Sequence, residues 1–186
     1  IKNYVLPFSV KAPMYSGFCL KNIKRKKEKV GFIGTSSLAP DIYYQRIAAM
    51  NKLRESSLLN ETSFNSRQNR AQMIFGTKYV KFLTGNLFNL TCPGNCNYFT
   101  AKHFQIPAAY SMLVCADVVG LEDFPKDTYI KYDVNNLDKL ISDVIYHIEN
   151  KNICEEKIDI LYKHVIKNHN HRVRGIQLMN IIKDIL

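Results

Sequence analysis

The 186 residues contain no apolar run long enough to cross a bilayer and no secretory leader. No membrane span is expected, and a cytoplasmic location is favoured. The chain opens on Ile1 and not on Met, so the missing leader carries little weight. There are only five cysteines, an odd number with scattered spacing, which argues against a disulfide framework. The one close pair, Cys92 and Cys96, has no second Cys/His pair at zinc-finger spacing, so no bound metal is expected. No Gly-Lys-Ser/Thr follows a glycine loop, which excludes a Walker site, and the G-x-G-x-x-G fingerprint is missing. No Ser-His-Asp or Cys-His arrangement singles itself out. Internal repeats and low-complexity segments are absent too.

What is in excess is positive charge. Lys and Arg number 26 against 16 Asp and Glu, a net charge of +10. Much of it sits in Lys21, Lys24, Arg25, Lys26, Lys27 and Lys29. A run of this kind reads as a solvated loop or linker, with polyanion binding as the alternative. No aromatic pattern of the RNA-binding type accompanies it, so nucleic acid is not an expected partner. The 46% hydrophobic and 23% charged content suits a globular protein of one domain.

Along the chain, residues 1–29 read as a connector, since Pro7 and Pro13 disfavour helix and the basic run follows. Residues 30–34 form a short apolar run ending in Gly34, the pattern of a buried strand. Asp41 is placed to cap a helix to about residue 54. Residues 55–70 are polar and read as loop. A strand at residues 73–76, a short helix at 79–83 and a strand at 87–92 follow, the last stopped by Pro93-Gly94. Thr100 can cap a helix to about Tyr110, which Pro107 would kink or shorten. Residues 112–115 are a further strand. The C-terminal third is helical: Leu137, Leu140, Ile141, Val144, Ile145 and Ile148 keep a helical period, with further helices after Cys154 and His171. Strands alternating with helices predict an α/β fold, a Rossmann-like parallel sheet flanked by helices, over residues 30–186. Such sheets bind ligands at the carboxyl ends of their strands, here the loops after Ile33, Cys92 and Cys115.

Gly34 and Thr35 follow the first strand, where backbone amides and hydroxyls can hold a phosphate or a sugar; a polar turn is the plainer alternative. The helix after Pro93 is more informative. Its amino end attracts anions, and Lys102 in its first turn is unfavourable there unless an anion is bound. Gln105 lies three residues on, on the same face, where its amide can bond ribose hydroxyls. His103 has no identifiable partner as a base. His169, His171, Arg172 and Arg174 lack the further ligands a metal needs, and helix packing or capping by Asn170 suits them better.

Four elements in order resemble the group-1-like glycosyltransferases with a CgeB-like (spore maturation protein) C-terminal domain. Val30-Gly31-Phe32-Ile33-Gly34 looks like the first strand and turn of that domain. Tyr44-Gln45-Arg46 resembles its Tyr-Pro-x-Arg stretch, and Lys102 to Ala108 its basic-x-Phe-Glu-x-x-Ala segment. His169 to Arg174 is similar to its closing His-Thr-x-x-x-Arg segment. The resemblance implies one half of a GT-B fold, which binds a nucleotide-diphosphate sugar for transfer to an acceptor held by an N-terminal domain absent from this chain. It implies no metal: helix dipole and basic residues meet the leaving diphosphate. Donor-binding residues would be Gly34, Thr35, Thr100, Lys102, Gln105 and Tyr110, with the catalytic residues unassigned. Gln105 stands where the family has Glu, and Tyr110 where it commonly has Gly. These departures raise a second reading, a catalytically degenerate binding module of the same fold. Polyanion binding through the basic run is a third.

Overall fold

The computed structural model describes residues 10, 23–34, 40–63, 76–93, 97 and 99–185. Thr35, Cys96, most of the connector and all but Gly76 of the strand foreseen at residues 73–76 lie outside them, and Gly76 begins a helix. Five parallel strands form one sheet: β1 (Lys27–Gly34), β2 (Leu59–Ser63), β3 (Asn86–Thr91), β4 (Met112–Ala116) and β5 (Ile130–Tyr132), in the order β2-β1-β3-β4-β5. Among the described residues, six α-helices accompany them: α1 (Pro40–Glu55), α2 (Gly76–Gly85), α3 (Ala101–Ala108), α4 (Leu137–Glu149), α5 (Lys151–Asn168) and α6 (His171–Ile185).

Both faces of the central strands are covered, so β4 reads as an unbroken apolar run and β3 is buried along its whole length, Asn86, Asn89 and Thr91 included. Along β4, Met112, Val114 and Ala116 join a core with Met50 and Leu53 of α1 and Leu140 and Val144 of α4. The intervening Leu113 and Cys115 enter a second core with Val80 and Leu83 of α2, Phe104 of α3 and Leu161 of α5. This period-two alternation sorts the helices onto two faces. Gly31 is needed for close packing: a Cβ there would lie 2.4 Å from Asn89 Oδ1 and 2.7 Å from Asn86 Nδ2.

Two strands depart from the expectations. Residues 55–70 read as loop, yet β2 lies there and pairs with β1 from Val30 opposite Leu59 to Gly34 opposite Ser63. Its sequence, Leu-Asn-Glu-Thr-Ser, shows no apolar alternation because it is an edge strand held by ladder bonds. Side chains reinforce it: Arg54 pairs with Glu61 at 3.0 Å and Asn60 donates to Asn86 Oδ1 at 2.6 Å. β5, at the other edge, is three residues long, too short to show a period. The first strand also begins at Lys27, inside the segment read as connector. Pro107 does shorten its helix, which ends one residue later at Ala108.

The basic run is not wholly solvated. Lys26 is 5% exposed, and its ammonium donates to the Thr84 carbonyl at 2.6 Å and the Ala109 carbonyl at 3.5 Å. Those carbonyls close α2 and α3, where a helix leaves acceptors unpaired and a cation is favoured. Charge that reads as surface is thus spent on the core. Replacing Lys26 by Met should destabilise the chain by about 1–3 kcal/mol, the cost of stranding buried acceptors. Urea unfolding checks this, since a solvated lysine would change stability by under about 0.5 kcal/mol.

Candidate functional site

In this sheet the connection from β1 to β2 runs one way and the connections from β3 through β4 to β5 run the other. The reversal falls between β1 and β3, and open parallel sheets bind ligands outside the carboxyl ends of the strands at such a point. A cleft of about 410 Å³ lies there, lined by Phe32, Tyr43, Arg46, Thr91, Cys92, Thr100, Ala101, Lys102 and Gln105. β1 supplies Phe32, the end of β3 supplies Thr91 and Cys92, α1 supplies Tyr43 and Arg46, and the start of α3 supplies the rest.

Two cations dominate it. The Lys102 ammonium donates to the Ile33 carbonyl at the end of β1. It lies 5.2 Å from the centre of the Phe32 ring, and the Arg46 guanidinium carbon lies 5.2 Å from the same ring centre. Arg46 also stacks on Tyr43 at 3.9 Å. That approach is helped by a break in α1 at Tyr43, whose backbone leaves the helical region (φ −121, ψ 22). Burial, then the Arg46 charge, lowers the Lys102 pKa from 10.5 to about 8, with Cys92 opposing. No carboxylate lines the cleft among the described residues. Two like charges lie together at the amino end of an eight-residue helix, where the helix dipole and free amides favour an anion.

The other foreseen residues separate. Gly34 lies beside Lys102, so close that a Cβ on it would stand 2.9 Å from the ammonium. Thr100 lines the cleft and caps α3: its backbone N–H donates to His103 Nδ1 at 3.0 Å. Gln105 also lines it. Its Oε1 accepts from the Tyr79 hydroxyl at 2.7 Å, which leaves the carboxamide nitrogen as its donor to a ligand. Tyr110 is not brought to the cleft. It follows the opposite end of α3 with φ +54, is 4% exposed, and packs on Tyr162 of α5 with its hydroxyl 3.4 Å from Asp159. Thr35 lies outside the described residues.

His103 is fully buried beside Phe99, and burial lowers its pKa to about 4. Neutral and enclosed, it packs the core. In the C-terminal basic cluster His169 and Arg174 are buried, while His171 and Arg172 are exposed. Arg174 bonds His169 Nδ1, and His169 meets His164 at 3.3 Å. Asn170 Oδ1 accepts from the Arg172 and Val173 amides at 2.9 and 3.0 Å, capping α6. Arg46 carries the least conspicuous sequence signal of the site residues. Only the Tyr-x-Arg spacing on a helix following β1 points to it.

No family model and no curated protein matches the sequence. Solved structures do. An alpha-glucosyltransferase in complex with UDP and a 13-mer DNA containing a central A:G mismatch superposes with a TM-score of 0.67 at 9% identity, over 95% of this chain and 60% of its own. The fold is that of a glycosyltransferase half-domain. The pneumococcal O-GlcNAc transferase GtfA in complex with UDP and GlcNAc gives a TM-score of 0.57 at 12% identity, covering 95% of this chain and 38% of its own. A glycosyltransferase from Rickettsia africae ESF-5 gives 0.56 at 11%, covering 98% and 46%. The half-domain therefore spans 60% or less of the length of these three proteins.

The lowered Lys102 pKa has a sign that stability measurements can read. Between pH 8 and 10.5 the unfolded chain holds more protons at this residue than the folded one, so its contribution to stability rises with pH. Below about pH 8 the cost of burying the charge is complete, and above 10.5 it is gone. In urea unfolding at stepped pH, Lys102→Met should therefore lose stability relative to the natural chain as pH rises through this window. A difference that stays flat would mean that Lys102 is not desolvated.

Proposed function

We propose that the chain is the donor-binding half of a GT-B-type glycosyltransferase and holds the diphosphate of a nucleotide sugar between Lys102, Arg46 and the amino end of α3. The observation that carries this reading is the pair of cations converging at the switch point of the sheet without a carboxylate among the described lining residues. The half-domain fold supports it, as does the UDP held in two of the similar structures.

The chemistry follows from the charges. When the bond from the sugar to the diphosphate breaks, negative charge develops on the departing phosphate oxygen. Fixed donors aimed at that oxygen lower the barrier more than they lower the energy of the bound substrate. The Lys102 ammonium, the Arg46 guanidinium and the free amides at the start of α3 are such donors. The reading assigns the neutralising role to them and not to a bound metal. Gln105 would meet the ribose through its carboxamide nitrogen, and Gly34 would leave room beside the phosphates. The acceptor and the catalytic base would come from a second Rossmann-like domain, in keeping with the span of the similar structures.

Calorimetric titration tests this with UDP, GDP, pyrophosphate and the matching nucleosides. One diphosphate should bind saturably, far more tightly than its nucleoside. Lys102→Ala and Arg46→Met should each weaken it about 10- to 100-fold, the loss of one charge-assisted hydrogen bond. Affinity should fall as pH rises above about 8, since the bound anion favours the protonated ammonium that is then being lost. A folded chain that binds no diphosphate would contradict the proposal.

A further inference from the structure

Arg174 is the one buried residue of α6. Ile176, Leu178, Met179, Ile182 and Ile185 of the same helix are exposed, so apolar packing contributes little to holding it down. Arg174 donates to His169 Nδ1, in the junction between α5 and α6, and to Gln177 Oε1 at 2.6 Å. Val10 joins the chain at this junction: its amide donates to the His169 carbonyl at 2.9 Å, and its carbonyl accepts from the His171 amide at 3.2 Å. His169 Nε2 in turn lies 3.3 Å from His164 Nε2 on α5. The His169 ring packs on Phe104 of α3, and both histidine rings pack on Phe124.

The donors and acceptors in this series are forced. A guanidinium only donates, so His169 Nδ1 accepts. The neutral His169 ring then carries its proton on Nε2 and donates to His164 Nε2. A neutral His164 carries its own on Nδ1, 3.2 Å from the Asn168 side-chain amide. A further proton has no place here. On His169 it sits at Nδ1 and faces Arg174, cation against cation. On His164 it sits at Nε2 and faces the N–H of His169. Whichever ring takes it, a bond is lost. The surroundings offset this little. Asp123, in the 3₁₀ turn Leu121–Asp123, is the carboxylate that acts on His164 and Arg174. Tyr129 stands behind Phe124 and the neutral His103 behind Phe99, and Val10 brings no charge. Burial, then Arg174 and His164, lowers the His169 pKa from 6.5 to about 4, and burial lowers that of His164 against Asp123. The bonds are therefore in full force above pH 6.5 and weaken as pH falls toward 4.

We propose that His164, His169 and Arg174 form an acid-sensitive latch on α6. With both rings neutral, the latch holds the start of the helix, and Val10 with it, against α5 and α3. One proton taken up by the pair breaks the series between Arg174 and α5, and α6 comes away while the sheet stays folded. The inference is independent of the diphosphate reading.

Nitrogen-15 NMR of the whole chain, titrated from about pH 7.5 to about pH 5, tests this. At the upper end the His169 ring should carry a proton on Nε2 and none on Nδ1. As pH falls, the amides of Val10, His171 and residues 173–185 should move in step with protonation of the pair, while those of β3 and β4 stay in place. The ratio of latched to released chain should fall about tenfold for each pH unit below the ordinary histidine pKa. His164→Gln combined with His169→Gln keeps side chains that can bond in series but cannot take a proton, and should abolish the transition. Arg174→Met should release α6 already at the upper pH, with the sheet amides unchanged. Residues of α6 unmoved across the titration would overturn the latch. So would the same transition in the double glutamine chain, or an α6 held after Arg174→Met as in the natural chain. Sheet amides that move together with α6 would also overturn it, because the event is then global unfolding.

Discussion

Lys102 and Arg46 are held around one aromatic ring, Phe32, in a cleft whose described lining residues include no carboxylate. Burial and mutual repulsion both act on the Lys102 ammonium and bring its pKa to about 8. A fold retains such an arrangement only if other contacts hold it, and here they do. The Ile33 carbonyl accepts from the ammonium, and the Phe32 and Tyr43 rings offer their negative faces to the two cations. The cost is borne in the unliganded chain. On the proposed reading the diphosphate would offset it, and that gain would be available to binding.

The rest of the fold keeps these groups in register. β1 delivers Phe32 and Ile33 to the sheet edge, and β3 delivers Thr91 and Cys92 beside them. α3 starts there because Thr100 closes a cap with His103, whose burial keeps the ring neutral and able to accept. At the far end of the same helix, Lys26 bonds the Ala109 carbonyl and ties it to the end of α2. One cation thus anchors the back of the helix while another faces the cleft at its front.

Where burial is deep, the sequence is legible. β3, β4 and α4 are written as apolar runs or a clear helical period, because packing on one or two faces leaves no alternative. β2 and β5 escaped notice for the opposite reason. An edge strand of Leu-Asn-Glu-Thr-Ser and a three-residue strand are held by ladder bonds to a neighbour, which local pattern does not record. In the site, Lys102 and Gln105 were legible from their places in the first turns of a helix that follows a strand. Arg46 was not, since its role depends on where α1 lies against β1. Tyr110 stands close to the motif in the chain, while the helix carries it to the opposite end. A run of lysines gives no sign of which one turns inward, so Lys26 reads as solvated.

The most direct measurement is a crystal structure of the chain grown with saturating UDP. The diphosphate should lie at the amino end of α3, within hydrogen-bond reach of both Lys102 and Arg46, with Gln105 beside the ribose. UDP bound elsewhere on the chain, or a cleft left empty at saturating UDP, would contradict the central claim.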